Sequence, residues 1–387
     1  MKKIVDLVYF NAGGGHRAAA LALQKAIELQ RRPWEVRLVN LTEVLDPGAR
    51  LRRATGVDPE ALYNARLARG WTLGLAQELK LLQAVIRMAH DTLVRTLQQH
   101  WLRTEPDLVV SLVPNFNRAL CESLAGALPG VPCATVMTDM ADLPPHFWIE
   151  PGQRQHLVCG TERALAQARA AGLRDADLSL TSGMVLHPSF HAPIRVERAR
   201  ELLALGLDPA RPTGLVLFGG QGSMQIPRIA RLLDGHQLIL LCGHHAALAA
   251  SLRRMRRAAP HAALGFTHEV SRYMALADWF VGKPGPGSLS EAVQRGLPVI
   301  TFSNAWTMPQ ERYNARWVEE RGVGIVVRSL KKLPAAAEAM LSDLAGYQAR
   351  VRQVDNRAVF EVPDILADLL VRAALASGMP RGILQPA

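Results

Sequence analysis

The sequence predicts an α/β protein of two doubly wound domains, each built on a parallel sheet with helices on both faces. Its 387 residues exceed what one hydrophobic core usually organises. Short β-rich runs alternate with longer helical segments, as in parallel sheets. The alternation pauses once, in a proline-containing stretch around residue 190. We therefore predict an N-terminal domain at residues 1–190, a C-terminal domain at 191–365, and a C-terminal helix and tail at 366–387.

The predicted strands follow the chain in two series of six. The N-terminal series is KIVDLVYF, EVRLVNL, PDLVVSLV, PCATVMTD, QHLVCG and LSLTSGMV. The C-terminal series is GLVLFGG, QLILLCG, AALGFT, DWFVGK, PVITF and GVGIVV. Ligands of doubly wound sheets bind outside the carboxyl ends of the strands. We therefore expect the active site in the cleft between the two domains.

Composition and charge limit the class of protein. The 49% of hydrophobic and 20% of charged residues are typical of a globular chain. Four scattered cysteines without a CxxC pair suggest reduced thiols in a cytoplasmic protein, and no apolar run is long enough to span a membrane. A net charge of +11 predicts an anionic partner. Because the chain lacks a recognised nucleic-acid module, we do not expect that partner to be nucleic acid.

The stretch NAGGGHRAAA, residues 11–20, stands where the first predicted strand becomes a helix. Glycines there permit left-handed turns, and the start of the helix offers free N–H groups to an anion or a polar ligand. The spacing differs from the GxGxxG of dinucleotide folds, which disfavours NAD. His16 is placed to project its imidazole toward a ligand, and a histidine that only caps the helix is the alternative.

A second motif, VGKPGPGSLSEAVQRGLPVITF, spans residues 281–302. A strand ends, a Pro/Gly loop turns, and Ser288 is predicted to open a helix with Glu291 three residues later, as in a capping box. A helix start at Gly287 and Ser288 can bind a diphosphate without a metal ion. Glu291 can alternatively accept hydrogen bonds from ribose hydroxyls. A purely structural turn is the remaining interpretation.

The chain resembles the monogalactosyldiacylglycerol synthase group of GT-B glycosyltransferases in four segments. In chain order these are GGGHRAAA, VMTDMADLPPHFW, KPGPGSLSEAVQRGLPVI and MPQERYNARWVEERGVGIVV. It also resembles, more distantly, the N-acetylglucosaminyltransferase of peptidoglycan lipid precursors. The resemblance implies two Rossmann-like domains in the GT-B arrangement, a UDP-sugar donor, a lipid acceptor, inversion at the anomeric carbon, and no metal or other cofactor.

The same resemblance implies roles for individual residues. His16 corresponds to the proposed general base, and Asp139 to the aspartate of the TD motif. The implied acceptor-side residues are Gly13, Gly14, Gly15, His146 and Trp148. The implied donor-side residues are Gly220, Gln221, Gly222 and Ser223 near the phosphates, Phe266 at the uracil, Lys283, Gly285, Pro286, Gly287, Ser288 and Glu291 at the diphosphate and ribose, and Gln310, Glu311 and Asn314 at the sugar.

The chemistry of an inverting transfer explains these residue types. A base must reach the acceptor hydroxyl, and histidine, with an unperturbed pKa of about 6.5, suits that task near neutral pH. Asp139 either orients His16 or is itself the base. Helix N–H groups, Ser288 and Lys283 stabilise the charge that develops on UDP. We predict a hexosyltransferase acting on a lipid, with diacylglycerol favoured; a UDP-sugar 2-epimerase and a non-catalytic nucleotide-sugar binding subunit are the alternatives.

A basic, tryptophan-containing region at residues 48–72 is predicted to contact an anionic membrane surface. Its basic residues are Arg50, Arg52, Arg53, Arg66 and Arg69. The leucine-rich helix that follows, at residues 75–102, is expected to pack mainly on its own sheet. The protein is thus predicted to be cytoplasmic and attached peripherally to the inner face of the cytoplasmic membrane.

Overall fold

The computed structural model describes residues 2–11, 14–48, 75–305, 307–376 and 378. These residues form two compact units. The N-terminal unit comprises the described residues up to Pro188 and again from Asn356 onward, and the C-terminal unit comprises those of Ser189–Asp355. The predicted membrane region at residues 48–72 lies, apart from residue 48, outside the described part of the chain.

The N-terminal unit contains a parallel sheet of six strands among its described residues, in the order β2-β1-β3-β4-β5-β6. The strands are β1 (Lys3–Tyr9), β2 (Trp34–Asn40), β3 (Leu108–Ser111), β4 (Cys133–Val136), β5 (His156–Cys159) and β6 (Leu178–Leu180). The helices between them are α1 (Gly15–Leu29), α2 (Leu41–Leu45), α3 (Leu75–Met88), α4 (His90–Thr104), α5 (Asn117–Ala127) and α6 (Glu162–Ala170). Neighbouring apolar residues, Leu7 and Val8 of β1 and Val109 and Val110 of β3, are fully buried in separate core clusters, as expected where helices cover both sides of the sheet.

The described part of the C-terminal unit contains a second six-stranded parallel sheet, in the order β12-β11-β10-β7-β8-β9. Its strands are β7 (Thr213–Leu217), β8 (Gln237–Leu241), β9 (His261–Leu264), β10 (Trp279–Gly282), β11 (Val299–Phe302) and β12 (Gly324–Val327). Its helices are α7 (Arg198–Ala204), α8 (Ile226–Leu232), α9 (Ala246–Arg253), α10 (Val270–Leu276), α11 (Pro286–Gln294), α12 (Arg312–Glu320), α13 (Leu333–Ser342) and α14 (Leu344–Val351). Leu215 and Val216 enter separate core clusters, so this sheet is also covered on both faces.

The last described helix, α15 (Ala358–Ala376), packs on the N-terminal unit rather than on the sheet that precedes it. Val359, Val362 and Leu366 are fully buried in the same cluster as Leu23 of α1. Gln30 donates a hydrogen bond to the backbone carbonyl of Phe360 at 2.9 Å. The chain therefore rejoins the N-terminal unit at residue 356, whereas the predicted C-terminal domain runs to residue 365.

The leucine-rich stretch after residue 74 forms two helices, α3 and α4, rather than one. On α4 the expectation of core packing holds, because Leu97 and Trp101 are fully buried. On α3 it holds for Leu79 but fails for Leu82, which is 46% exposed. No helix among the described residues is both long and apolar enough to cross a bilayer.

Candidate functional site

The glycine-rich loop after β1 leads directly into α1, as predicted. Gly14 has a φ of 79°, a left-handed conformation that strains any residue with a Cβ. A Cβ at Gly14 or Gly15 would meet no atom within 4 Å, so the space beside this turn is open. Gly13 lies outside the described residues. The loop thus has the geometry expected at an exposed ligand-binding turn.

His16, the second residue of α1, is held by groups from two other strand ends. Its Nδ1 lies 3.0 Å from Oγ1 of Thr138, which follows β4. The ring also hydrogen-bonds the backbone of Leu112, which follows β3. Burial lowers the pKa of His16 to about 4, and the bond to Leu112 opposes this shift only in part. At neutral pH the imidazole is therefore uncharged and able to accept a proton.

The TD motif supplies both a partner of His16 and a buried carboxyl group. Asp139 is buried, and its Oδ2 accepts a hydrogen bond from Nε1 of Trp148 at 2.9 Å. The Trp148 ring lies with its centroid 6.0 Å from that of His16. Asp139 thus fixes the indole beside the histidine, while Thr138 contacts the histidine itself. Thr138 was not predicted from the sequence, although it directly precedes Asp139 in VMTDM.

Asp142, also not predicted, organises the loop that carries His146 and Trp148. Its Oδ1 accepts a hydrogen bond from the backbone N–H of Trp148 at 2.6 Å, and its Oδ2 accepts one from that of His146 at 2.9 Å. Burial raises the pKa of this carboxyl, and the backbone N–H groups oppose the rise. His146 has a φ of 62° and an exposed side chain. The loop therefore buries Trp148 and leaves His146 at the surface.

The glycine loop after β7 is pressed against the loop after β8. Gly222 has a φ of 75°, and a Cβ there would lie 2.2 Å from the carbonyl oxygen of Cys242. The N–H of His244 donates to the carbonyl of Gly220 at 2.9 Å. Only glycine permits this approach at residue 222. Gly220 and Gln221 remain exposed, while Ser223 is buried.

Phe266 follows β9, and its side chain is 46% exposed. Its ring stacks on that of His244 with centroids 3.8 Å apart and planes at 16°. The adjacent His245 accepts a hydrogen bond from the N–H of Leu248 and caps α9. The structure thus presents a flat aromatic surface at the end of β9, where the sequence predicts the uracil site.

Helix α11 starts differently from the predicted capping box. It begins at Pro286, with Gly285 as N-cap and no side-chain cap, because proline pre-sets the backbone of the first turn. Ser288 lies inside that turn and donates to the carbonyl of Gly285 at 3.4 Å. The side chain of Ser288 therefore does not open the helix. A Cβ at Gly287 would meet nothing within 4 Å, so there is open space beside the first turn of the helix.

The loops after β10 and β11 meet in a polar cluster. Lys283 forms an ion pair with Glu311 at 2.7 Å, and Glu311 is only 5% exposed. Asn314 donates to the carbonyl of Pro284 at 2.8 Å. Its Oδ1 is buried and has no hydrogen-bond partner among the described residues. Because Asn314 is fully buried, its amide holds the turn at Pro284 from inside the unit, and Lys283 is the most exposed member of this cluster.

Glu291 lies one turn into α11 and is half-buried. Burial raises its pKa to about 7. Gln310 is also half-buried, and its amide contacts Sδ of Met308 at 3.7 Å. Among the described residues, no group of three His, Cys, Asp or Glu side chains is arranged to hold a metal ion.

The predicted site residues within each unit collect at one edge of its sheet. In the N-terminal unit His16, Thr138 and Trp148 follow strand ends, and in the C-terminal unit the loops after β7, β9, β10 and β11 carry the donor-side residues. These are the carboxyl ends of the strands, where doubly wound sheets bind ligands. The structure therefore groups the acceptor-side set in one unit and the donor-side set in the other.

Comparisons with known proteins identify relatives of this chain. Residues 215–368 match the glycosyltransferase family 28 C-terminal domain. Monogalactosyldiacylglycerol synthase 1 of Arabidopsis thaliana is 26% identical over 95% of this chain and 71% of its own length. The probable monogalactosyldiacylglycerol synthase of Nicotiana tabacum is 28% identical over 86% of this chain, which spans 63% of that relative. The predicted resemblance is thus confirmed.

Solved structures agree on the fold. MurG of Acinetobacter baumannii superposes with a TM-score of 0.57 at 13% identity, over 95% of this chain and all of that one. The glycosyltransferase SnogD of Streptomyces nogalater superposes with a TM-score of 0.58 at 15% identity and the same coverage. The predicted α/β class with the GT-B fold is confirmed, and sequence and fold together support a glycosyltransferase.

Proposed function

We propose that this protein transfers a hexose from a UDP-sugar to the hydroxyl of a lipid, with inversion at the anomeric carbon and without a metal ion. The acceptor we favour is diacylglycerol, which would give a glycosyldiacylglycerol. The observation that carries the proposal is the similarity to monogalactosyldiacylglycerol synthases over most of the chain. The clustering of the predicted residues at the carboxyl ends of the strands supports it.

His16 is proposed as the general base. The acceptor hydroxyl loses its proton to the imidazole as its oxygen attacks the anomeric carbon, and UDP departs from the opposite face. A neutral imidazole is required for that step, and the pKa of about 4 keeps it neutral. Asp139 is proposed to act through Trp148, because it accepts the indole hydrogen bond and so fixes the ring that lies beside His16.

Donor binding is assigned to the C-terminal unit. The start of α11, which has no side-chain cap and has open space beside Gly287, offers partial positive charge to a diphosphate. Phe266 offers a flat surface to the base, and Glu291 an acceptor to the ribose hydroxyls. The loop after β11 and the start of α12, which carry Gln310, Glu311 and Asn314, are proposed to contact the sugar.

A lipid acceptor requires access to a bilayer. The net charge of +11 and the five arginines within residues 48–72 support attachment to an anionic membrane surface. We assign the protein to the inner face of the cytoplasmic membrane, as a peripheral protein.

A direct assay tests the proposed function. The purified protein would be incubated in EDTA with UDP-galactose or UDP-glucose and diacylglycerol vesicles, and the products followed by mass spectrometry. Glycosyldiacylglycerol is the expected product. An epimerised nucleotide sugar formed without acceptor would identify a 2-epimerase instead. UDP binding with neither product would indicate a non-catalytic binding subunit.

Glu291→Ala is expected to weaken UDP binding by about 1 to 3 kcal/mol, the range for hydrogen bonds that involve a charged group. Calorimetry in EDTA measures this change and also tests whether binding needs a metal ion. Glu319→Ala is a matched control, because that carboxyl lies on the exposed side of α12. Parent protein that binds UDP only after a divalent metal is added contradicts the metal-independent assignment.

UDP affinity is expected to depend on pH through Glu291. Its pKa of about 7 in the free protein means that the carboxylate, which accepts ribose hydrogen bonds, is lost as the pH falls. Between pH 8 and pH 6 the dissociation constant should rise about tenfold by linkage. The Glu291→Gln variant cannot titrate, so it isolates this contribution from the protonation of UDP itself. Parallel pH profiles for parent and variant would exclude Glu291 as the titrating group.

A further inference from the structure

An ion pair links two loops of the C-terminal unit. Lys283 directly follows β10, and Glu311 ends the 3₁₀ turn Pro309–Glu311 that leads into α12. Nζ of Lys283 lies 2.7 Å from Oε1 of Glu311. The side chain of Glu311 is 7% exposed and that of Lys283 is 35% exposed. The carboxylate is therefore enclosed by the unit, whereas the lysine side chain contacts solvent.

The ion pair borders both loops that the sequence places near the diphosphate. A Cβ at Gly219, after β7, would lie 3.9 Å from Cε of Lys283, and one at Gly285 would lie 3.3 Å from it. Gly285 is the N-cap of α11, and no side chain caps this helix. The same Cβ at Gly285 would lie 3.7 Å from Oε1 of Glu311. Both charged groups thus lie beside the start of α11.

The carboxylate of Glu311 lies where an anionic ligand is favoured. The start of a helix carries partial positive charge, which stabilises a nearby anion. A bound diphosphate and Glu311 therefore compete for two attractions, one from the start of α11 and one from the Lys283 ammonium group. The diphosphate carries more than one negative charge, so it attracts that ammonium group more strongly than a single carboxylate does. Lysine suits such an exchange, because its charge lies on a flexible four-carbon side chain.

We propose that the donor diphosphate takes Lys283 from Glu311, and that the released carboxylate then accepts hydrogen bonds from hydroxyl groups of the sugar. The inference rests on the proposed function, because it concerns how a UDP-sugar is recognised. Lys283 occupies the carboxylate until a diphosphate arrives. The exchange therefore makes the contact between Glu311 and the sugar depend on the diphosphate, so that two parts of the donor are recognised together.

The burial of Glu311 explains why the released carboxylate needs the sugar. An ionised carboxylate only accepts hydrogen bonds, and a buried charge that loses its partner is strongly destabilising. The hydroxyl groups of UDP lie on its ribose, which is assigned to Glu291. UDP alone therefore breaks the ion pair without replacing it, whereas a UDP-sugar supplies new donors to Glu311. The exchange thus favours binding of the donor over binding of the UDP that remains after transfer.

Calorimetry with UDP and with UDP-galactose or UDP-glucose, without acceptor, tests the exchange. In the Glu311→Gln variant Lys283 is free before the ligand binds, so UDP should bind about two- to fivefold more tightly than to the parent, the range for losing a partly exposed ion pair. The ratio of the dissociation constants of UDP and the UDP-sugar should fall about tenfold, because a charged hydrogen-bond acceptor is lost. Glu319→Gln, which changes an exposed carboxylate of α12, should alter neither quantity.

Lysine variants test the other half of the exchange. Lys283→Gln should weaken the binding of UDP and of the UDP-sugar by the same factor, about tenfold or more, because both ligands share the diphosphate that the ammonium group contacts. The ratio of the two dissociation constants should stay as in the parent. Lys283→Arg keeps the charge and should restore most of the affinity. Lys331→Gln, which changes an exposed lysine of the same unit, should bind both ligands like the parent.

Unchanged or weaker UDP binding by Glu311→Gln would overturn the exchange. A lower ratio of dissociation constants in Lys283→Gln would also overturn it, because Lys283 would then be a permanent partner that holds Glu311 for the sugar. If Glu311→Gln does not fold, Glu311→Asp decides the question: its carboxylate is withdrawn from Lys283 by one methylene group, and both quantities should change in the same direction by less.

Donor binding and transfer separate this inference from the proposed function. A parent that binds the UDP-sugar but transfers no hexose contradicts the proposed function, and the two measured quantities still decide the exchange. A parent that binds neither UDP nor the UDP-sugar overturns both. A parent that transfers hexose, with a Glu311→Gln variant that binds UDP no more tightly, overturns the exchange alone.

Discussion

Replacing His16 by alanine should lower kcat by about 10² to 10⁴, the usual contribution of general base catalysis. The reason is that no other described group replaces the neutral imidazole held between Thr138 and Leu112. UDP affinity should be nearly unchanged, because donor binding is assigned to the C-terminal unit. Steady-state kinetics with a lipid acceptor, together with calorimetry of UDP, measures both quantities on the same preparation.

Two companion variants distinguish the base from the residues that position it. Thr138→Val removes the hydroxyl at Nδ1 of His16 and should lower kcat less than His16→Ala. Asp139→Asn keeps an acceptor for Nε1 of Trp148 but removes the charge. If Asp139→Asn reduces kcat more than His16→Ala at equal UDP affinity, the base is Asp139. If none of the three changes kcat, the catalytic assignment is wrong.

Asp142→Ala should reduce the free energy of unfolding of the N-terminal unit by about 2 to 4 kcal/mol. The substitution leaves the N–H groups of Trp148 and His146 without their acceptor, and each unsatisfied buried group costs about 1 to 3 kcal/mol. Urea unfolding followed by tryptophan fluorescence measures the change. Transfer activity should fall as well, because this loop places Trp148 beside His16.

Two further aspartate substitutions serve as controls, one at Asp142 itself and one at an exposed aspartate. Asp142→Asn keeps one carbonyl acceptor and should lose less stability than Asp142→Ala. Asp175→Ala removes an exposed carboxylate paired with Arg169 and should change stability by no more than about 0.5 kcal/mol. Equal losses for Asp142→Ala and Asp175→Ala would show that the carboxylate of Asp142 does not hold the loop.

Much of the fold follows from local sequence patterns. All twelve predicted strands occur at their predicted segments, since an apolar run bounded by glycine and proline is a local signal. Gly14 adopts the left-handed backbone that its loop was expected to permit. The start of α11 was placed two residues late, because the Pro286 signal was read as part of the loop. The residue types of the donor-side set also followed from sequence, by resemblance to a known family.

The hydrogen-bond partners of the site residues could not be predicted from the sequence. Thr138 contacts His16 only because β4 lies two positions from β1 in the sheet. The local sequence MADLPP does not mark Asp142 as a structural residue, yet it is 5% exposed and accepts two backbone hydrogen bonds. The order of strands in the sheet and the path of the loop after β4 decide such contacts. Neither can be read from a short segment of the sequence.

The sequence by itself determined which segments become strands, where glycine turns must occur, and which residue types stand at the strand ends, because these depend on neighbours along the chain. Only the tertiary structure decided that α15 returns to the N-terminal unit, that Thr138 holds His16, and that α3 turns Leu79 inward and Leu81 outward. Periodicity shows that a helix has an apolar side. It does not show which of two apolar sides meets the core, since that choice depends on surfaces brought together by the folded chain.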